Sequence, residues 1–326
     1  MTHRSGELRK LHQLGTITAN TVMQEFRVFL LEGRTQKMTK PKTERPKREG
    51  IMLAYPLDEG KLRRIGSPFF VQPKFRGERC KTVWFHEEPV LLTSYANAFP
   101  YAEHIKAALK AVREVSGFEL QFDGELYKHG WSQERISSAA RSPVNYNPDN
   151  KELQYYIFDH IQPGVPQDFR FNTLISCLNK CSSEALIIAP TFRATIDQWH
   201  DAANEFIDAG YEGLIIRSIN GSYVEKRSTD ILKFKPTETD NYTIIEILEA
   251  MSIQGEPKAM IGAFRVMDAD GNTFKVGAGK LKHEKRIEYW RQRRNLIGRQ
   301  LVVKHELLRT DHDLPVCAVA VDLFVS

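Results

Sequence analysis

Residues 71–79 read VQPKFRGER, and they follow an apolar pair, Phe69-Phe70. The stretch "FFVQPKF" looks strand-like, with Lys74 just after a buried strand. Beyond it the chain carries Arg76, Gly77 and Arg79 before a second strand-like run, "CKTVWF". A lysine at a strand end is a candidate nucleophile when burial or nearby cations make its amine easier to deprotonate. Arg76 and Arg79 supply such charge, and Gly77 lets the backbone pass close to a ligand. A lone Lys-x-x-Gly is a weak signal, so its weight depends on what surrounds it.

Outward from this point the chain alternates strand-like and helix-like segments. After "PVLLTSY" comes a helical "YAEHIKAALKAVREV", then "FELQFDGELY", "LQYYIFDHI" and "ALIIAPTFRA". A helical "TIDQWHDAANEFIDAG" precedes "EGLIIRS" and "DILKFKP". The pattern predicts an α+β fold with antiparallel sheet over residues 51–238. After Pro236 the texture changes to short strands joined by Asp-Gly and Gly turns, interrupted by one helical segment, "LKHEKRIEYWRQRRN". A small β-barrel of the OB-fold type over 239–326 fits that pattern. Residues 1–50 precede both; "TQKMTKPKTERPKREG" at 35–50 reads as a basic, proline-interrupted linker.

Composition narrows the function classes. The 326 residues carry a formal net charge of +5, but residues 1–50 hold 11 Lys/Arg against 5 Asp/Glu, so the body is nearly balanced. A second basic stretch, Lys275–Lys304, holds 10 Lys/Arg and 2 Glu. Clustered cations are the footprint of a polyanion partner, although a single charge run is more often a solvated helix face. No apolar run is long enough to span a membrane, and the N-terminus lacks a secretory signal, so an intracellular, non-membrane protein is expected. The four cysteines show neither CxxC nor zinc spacing.

Several short motifs carry chemistry. In "DGELY", Asp123 and Glu125 alternate along a strand and share a face, which suits a ribose hydroxyl or a metal ion; a plain Asp-Gly turn is the bland alternative. Phe158 sits at a strand end where a purine could stack, though most such rings are core. Glu212 precedes an apolar strand with Arg217 at its far end. Lys233 and Lys235 flank Phe234, so one strand face would present two cations to a polyphosphate.

Each motif is weak alone; their order is informative. The succession Lys-x-x-Gly-x-Arg, Asp-Gly-Glu-Leu, aromatic-Asp, Glu-Gly with an apolar strand, Lys-x-Lys, and a barrel containing "FKVGAG" resembles the covalent nucleotidyltransferase superfamily. Within it the chain resembles the ATP-dependent DNA ligases, above all the small two-domain type of viruses and bacteria. The likeness covers residues 51–326, with "IMLA" at 51–54 as the entry segment. It implies that Lys74 takes AMP from ATP, Gln72 reads adenine, Arg79 and Glu125 hold ribose, and Phe158 stacks on the base. It further implies that Glu212, with Glu125, serves Mg²⁺ or Mn²⁺, that Lys233 and Lys235 serve the nucleotide phosphates, and that Arg217 belongs to the nucleotide-binding set. Arg286, Arg291, Arg293 and Arg294 become candidates for DNA backbone contacts, and the basic head at 1–50 for another.

Three positions depart from the family pattern: Arg76 stands where Asp is usual, Tyr95 where Arg follows Ser, and Arg217 where Lys is usual. The resemblance implies a monomer that seals nicked duplex DNA with ATP. An RNA ligase or a capping-type nucleotidyltransferase shares the lysine–nucleotide step and is the alternative. A duplex-binding relative without activity is the third reading, against which stands the retention of Lys74, Glu212, Lys233 and Lys235.

Overall fold

A computed structural model describes residues 48, 50–142, 145–181, 183–309 and 314–324. The basic head expected at 1–50 therefore lies almost entirely outside the described residues. The chain divides between Lys233 and Phe234 into two units, a few residues ahead of the 238/239 break read from the sequence.

In the first unit, β1 (Leu53–Pro56) is followed by α1 (Glu59–Ile65), whose first turn is capped by Asp58 accepting from the Lys61 amide at 2.9 Å. Next come β2 (Phe69–Lys74), β3 (Glu78–Phe85), β4 (Glu88–Thr93), α2 (Glu103–Ser116), β5 (Phe122–Tyr127) and α3 (Gln133–Arg141). The order continues with β6 (Gln154–His160), α4 (Gln167–Leu178), β7 (Leu186–Ile188), β8 (Phe192–Ala194), α5 (Trp199–Asp208), β9 (Gly213–Ser218) and β10 (Arg227–Phe234). Two five-stranded sheets result, in the orders β1-β10-β9-β2-β8 and β4-β3-β5-β6-β7. Most pairings identified are antiparallel, whereas β1 with β10 and β6 with β7 are parallel.

The core explains which segments became helices. Ile105, Leu109 and Val112 recur at helical spacing along α2 and are buried, with Ile136 of α3 and Leu174 of α4, in one cluster with Leu126 and Tyr155 of the second sheet. The helix α4 has no clean apolar period because its buried face includes Gln167 and Arg170. Those two polar residues serve the network described below.

Close approach of backbones fixes two glycines. A Cβ on Gly124 would lie 2.4 Å from the Tyr156 carbonyl oxygen and 2.6 Å from the Tyr155 ring. One on Gly77 would lie 2.3 Å from the Leu126 carbonyl oxygen. Gly77 therefore serves the packing of its loop on β5, where the sequence suggested approach to a ligand. Gly124→Ala should destabilise the first unit by about 1–3 kcal/mol, because backbone rather than a movable side chain blocks the methyl. Chemical denaturation would show this as a lowered midpoint with unchanged slope.

In the second unit, β11 (Thr237–Met251), β12 (Pro257–Met267), β13 (Thr273–Gly277), β14 (Gln300–Arg309) and β15 (Pro315–Leu323) close into a barrel in the order β11-β12-β13-β15-β14. Ile244, Ile261, Phe264, Val276, Leu301 and Val303 fill its interior. The helices α6 (His283–Arg291) and α7 (Arg293–Leu296) lie between β13 and β14. This is the five-stranded barrel that the turn-rich texture after Pro236 predicted.

Candidate active site

The strand β2 delivers Lys74 at its last position, opposite Gly213 at the start of β9. The Glu212 amide donates to the Lys74 carbonyl at 3.0 Å, which locks the lead-in of β9 beside the lysine. The Lys74 Nζ then forms an ion pair with the Glu212 carboxylate. Both side chains are largely withdrawn from water, at 19% and 6% exposure. With Arg at position 76, the nearest anion to the amine comes from a residue 138 positions along the chain.

The strand β5 supplies the opposing wall. Its Glu125 pairs in register with Arg79 of β3, and its carboxylate accepts from the Gly77 amide at 3.3 Å. Burial pushes the Glu125 carboxyl up to about 7, while Arg79 and Lys74 pull it down and Glu212 adds to the rise. The neighbouring carboxylate, Asp123, is fully buried and committed elsewhere. It receives a two-pronged contact from Arg79, with Nε and Nη2 each at 2.6 Å, and a hydrogen bond from the Tyr223 hydroxyl at 2.7 Å. Arg79 Nη2 also donates to the Met52 carbonyl at 3.1 Å, so the entry segment braces the arginine. Of the two carboxylates on this strand face, Glu125 stands by the lysine while Asp123 holds Arg79 in place.

The pH response of Glu125 can be isolated by substitution. A carboxyl raised above its unfolded value gives stability that is present below about 4.5 and lost as pH rises through about 7. Glu125→Gln should therefore gain thermal stability relative to the parent as pH climbs across that interval, in protein without nucleotide or metal. A constant gap between the two melting curves would contradict the burial of this group.

Gln72 and Phe158 rest on a buried network. Gln72, 2% exposed, donates through Nε2 to the Phe158 carbonyl at 3.2 Å and to the Thr191 hydroxyl at 3.0 Å. Its Oε1 accepts from Arg217 Nε at 2.7 Å. Arg217 also donates to Asp159 at 2.9 Å, and Asp159 receives Arg170 Nε at 2.9 Å and Nη2 at 3.1 Å. The Phe158 ring faces both the Arg79 guanidinium, 4.6 Å from the ring centre, and that of Arg217, 5.1 Å away. Arg217 is thus a buried anchor that orients Gln72.

The Lys-x-Lys pair does not form one strand face. The strand β10 ends at Phe234. Lys233 belongs to the first unit, where its carbonyl accepts from the Leu57 amide at 2.9 Å. Lys235 belongs to the second unit, where it donates to Glu306 at 2.7 Å. Sequence reading also passed over Asp159, Arg170, Thr191 and Tyr223. The Phe158-Asp159 pair was the one available hint.

The geometry gathers Lys74, Glu212, Glu125, Arg79, Phe158 and Gln72 toward one end of β2. A family model, the ATP dependent DNA ligase domain, matches residues 51–235. The chain belongs to the ATP-dependent DNA ligase family. Relatives by sequence include the DNA ligase of African swine fever virus, isolate Pig/Kenya/KEN-50/1950, 26% identical over 270 residues. That match covers 77% of this chain and 62% of the viral protein, so the chain corresponds to under two thirds of such a relative. A second isolate, Tick/South Africa/Pretoriuskop Pr4/1996, gives 25% identity over the same length, again covering 77% of this chain and 62% of the relative.

Among solved structures, one from a structure-function study of Lig E DNA ligases superposes with a TM-score of 0.70 at 20% identity, covering 84% of this ligase-family chain and 99% of the other. Another, named Pmar-Lig_PreS3, reaches 0.74 at 17% identity and covers 89% and 70%. At these identities the likeness establishes the fold. No helix among the described residues is long and apolar enough to cross a membrane.

Four arginines of the barrel unit were candidates for a nucleic-acid surface, and they differ in freedom. Arg291 and Arg294 are exposed. Arg286 Nε donates to the Ile261 carbonyl at 2.8 Å, and Arg293 Nη1 to the Trp290 carbonyl at 2.9 Å while covering the Trp290 ring. The latter two are partly spent on the barrel itself.

Proposed function

We propose that this chain seals breaks between a 3′-hydroxyl and a 5′-phosphate in duplex DNA, using ATP through a lysyl-AMP intermediate. The observation that carries the reading is Lys74, largely withdrawn from water at the end of β2, with Glu212, Glu125 and Arg79 around it. In the first step the neutral Lys74 amine attacks the α-phosphorus of ATP. A P–N bond forms, the P–O bond to pyrophosphate breaks, and the amine proton leaves to solvent or to Glu212. In the second, the 5′-phosphate oxygen takes AMP from Lys74. In the third, the 3′-hydroxyl attacks the activated phosphate, AMP departs, and the strand is joined.

Much of the acceleration would come from positioning and charge complementarity, for which a rigid network behind the site is suited. Gln72 supports a preference for adenine: both its amide hydrogens are committed, and its carbonyl, after Arg217, keeps one lone pair for an exocyclic amino group. Guanine presents a carbonyl at that position and would meet an acceptor. Glu125 and Glu212 offer hard carboxylate oxygens, with Glu212 close enough to add to the rise at Glu125, a donor set that fits Mg²⁺ or Mn²⁺. Bound there, such an ion would supply charge neutralisation for the phosphates.

Backbone contacts from the barrel unit would give affinity without reading sequence. Replacing Arg291 and Arg294 by alanine should weaken binding to nicked duplexes of any sequence and reduce the salt slope by about 1 for each phosphate left unneutralised. The same change at Arg286 should have a smaller effect, since its guanidinium serves the barrel. Sealing of nicked DNA with ATP, measured against GTP with RNA ends, tests the reading. Joining of nicked DNA with ATP supports it; transfer only from GTP, or only to RNA, overturns it.

A further inference from the structure

A closed ring of contacts runs through Asp123, Arg79, Met52 and Tyr223. Arg79 Nε and Nη2 donate to the two Asp123 oxygens, each at 2.6 Å, and the Tyr223 hydroxyl donates to Oδ2 at 2.7 Å. Arg79 Nη2 also reaches the Met52 carbonyl at 3.1 Å, and the Met52 amide donates to the Tyr223 hydroxyl at 3.2 Å. An amide can only donate, so the hydroxyl proton is committed to Asp123. Burial, and then the Asp123 charge, raises the pKa of the phenol, which keeps it a donor. Met52 and Tyr223 pack with Ile231 in one buried cluster, and Tyr223 is 1% exposed.

The ring engages Nε and Nη2 of Arg79 and leaves Nη1 without an acceptor among the described residues. The arginine side chain is 24% exposed, so it is not sealed from a ligand. Across the β3–β5 register stands Glu125, on the same face of the sheet. The Phe158 ring lies 4.6 Å from the guanidinium carbon. An uncommitted N–H beside a carboxylate offers one donor and one acceptor. A sugar hydroxyl both accepts and donates, so it suits that pair. A phosphate would accept from Nη1 but meet the Glu125 charge.

We propose that Tyr223 is a positioning residue: through Asp123 and the Met52 backbone it aims Arg79 Nη1 at a sugar hydroxyl of the bound nucleotide. The inference rests on the adenylyl-transfer reading of this site. A sugar hydroxyl gains no charge while the α-phosphorus is attacked, so its contacts hold ground state and transition state equally. Loosening them raises the half-saturating nucleotide concentration and spares the maximal rate.

The test follows AMP transfer to the full chain in a single turnover, with ATP and with 2′,3′-dideoxy-ATP, whose sugar lacks both hydroxyls. In Tyr223→Phe the half-saturating ATP concentration should rise about ten-fold, the scale of one hydrogen bond, with the maximal rate changed by less than about three-fold. With the dideoxy nucleotide, parent and variant should coincide. Arg79→Lys keeps a cation against Asp123, and adding Tyr223→Phe to it should change neither constant further. An equal rise with both nucleotides, an additive loss in the Arg79→Lys protein, or unfolding of Tyr223→Phe would reduce Tyr223 to a structural role and overturn the proposal. A parent that forms no adduct with ATP would refute the reaction itself, and this inference with it.

Discussion

Lys74→Ala should abolish the protein–AMP adduct and lower nick sealing by at least about 10⁴-fold, the scale seen when a covalent nucleophile is removed. The structure makes a sharper version available. Lys74→Arg keeps a cation against Glu212, so the ion pair and the fold should survive. An arginine stays protonated at any working pH and cannot attack phosphorus. Both variants should therefore be inactive with ATP, while the arginine protein melts near the parent. A DNA strand supplied already carrying 5′-AMP needs only the last step, so Lys74→Arg should still join it. Loss of all three activities in the arginine variant would point to a structural role for Lys74.

Asp159→Ala should produce the largest loss of stability. Arg170 is fully buried and Arg217 is 4% exposed, and Asp159 is the carboxylate shared by both. Removing it leaves two guanidiniums in the interior without that countercharge, a change worth about 3–5 kcal/mol. For a unit of this size the melting temperature should fall by on the order of 10 °C. The same variant loosens Arg217, which holds the Gln72 carbonyl. Surviving protein should therefore show a raised KM for ATP and weaker rejection of GTP. A melting point within about 2 °C of the parent would show that the network contributes little.

Lys74 and Asp159 differ widely in how visible they are in sequence. Lys74 was legible because a strand, a glycine and two arginines surround it within nine residues. Glu125, Phe158 and Glu212 became legible through the order of their motifs, and the fold places the two carboxylates near that lysine and Phe158 against Arg79. The barrel was legible because Asp-Gly and Gly turns divide short apolar runs at regular intervals.

What escaped sequence reading shares one physical cause. The helix α4 buries Arg170 and Gln167 to serve Asp159, and buried polar residues erase the apolar period by which a helix is recognised. Asp123 looked like a ligand-facing partner of Glu125, but its role depends on Tyr223, which lies 100 positions away and which local pattern cannot supply. Lys235 looked like a strand-mate of Lys233 until β10 ended between them at Phe234. Pairings that span the chain decide these roles.

The first two steps of the proposed reaction pass through the Lys74 side chain as the carrier of the nucleotide. Incubating the protein with each α-labelled nucleoside triphosphate and a divalent cation, then mapping the labelled peptide by mass spectrometry, puts that role to the test. Label should come from ATP alone, as a single AMP on Lys74 that is released by pyrophosphate. Label on another residue, or transfer from GTP with ATP inert, would refute it.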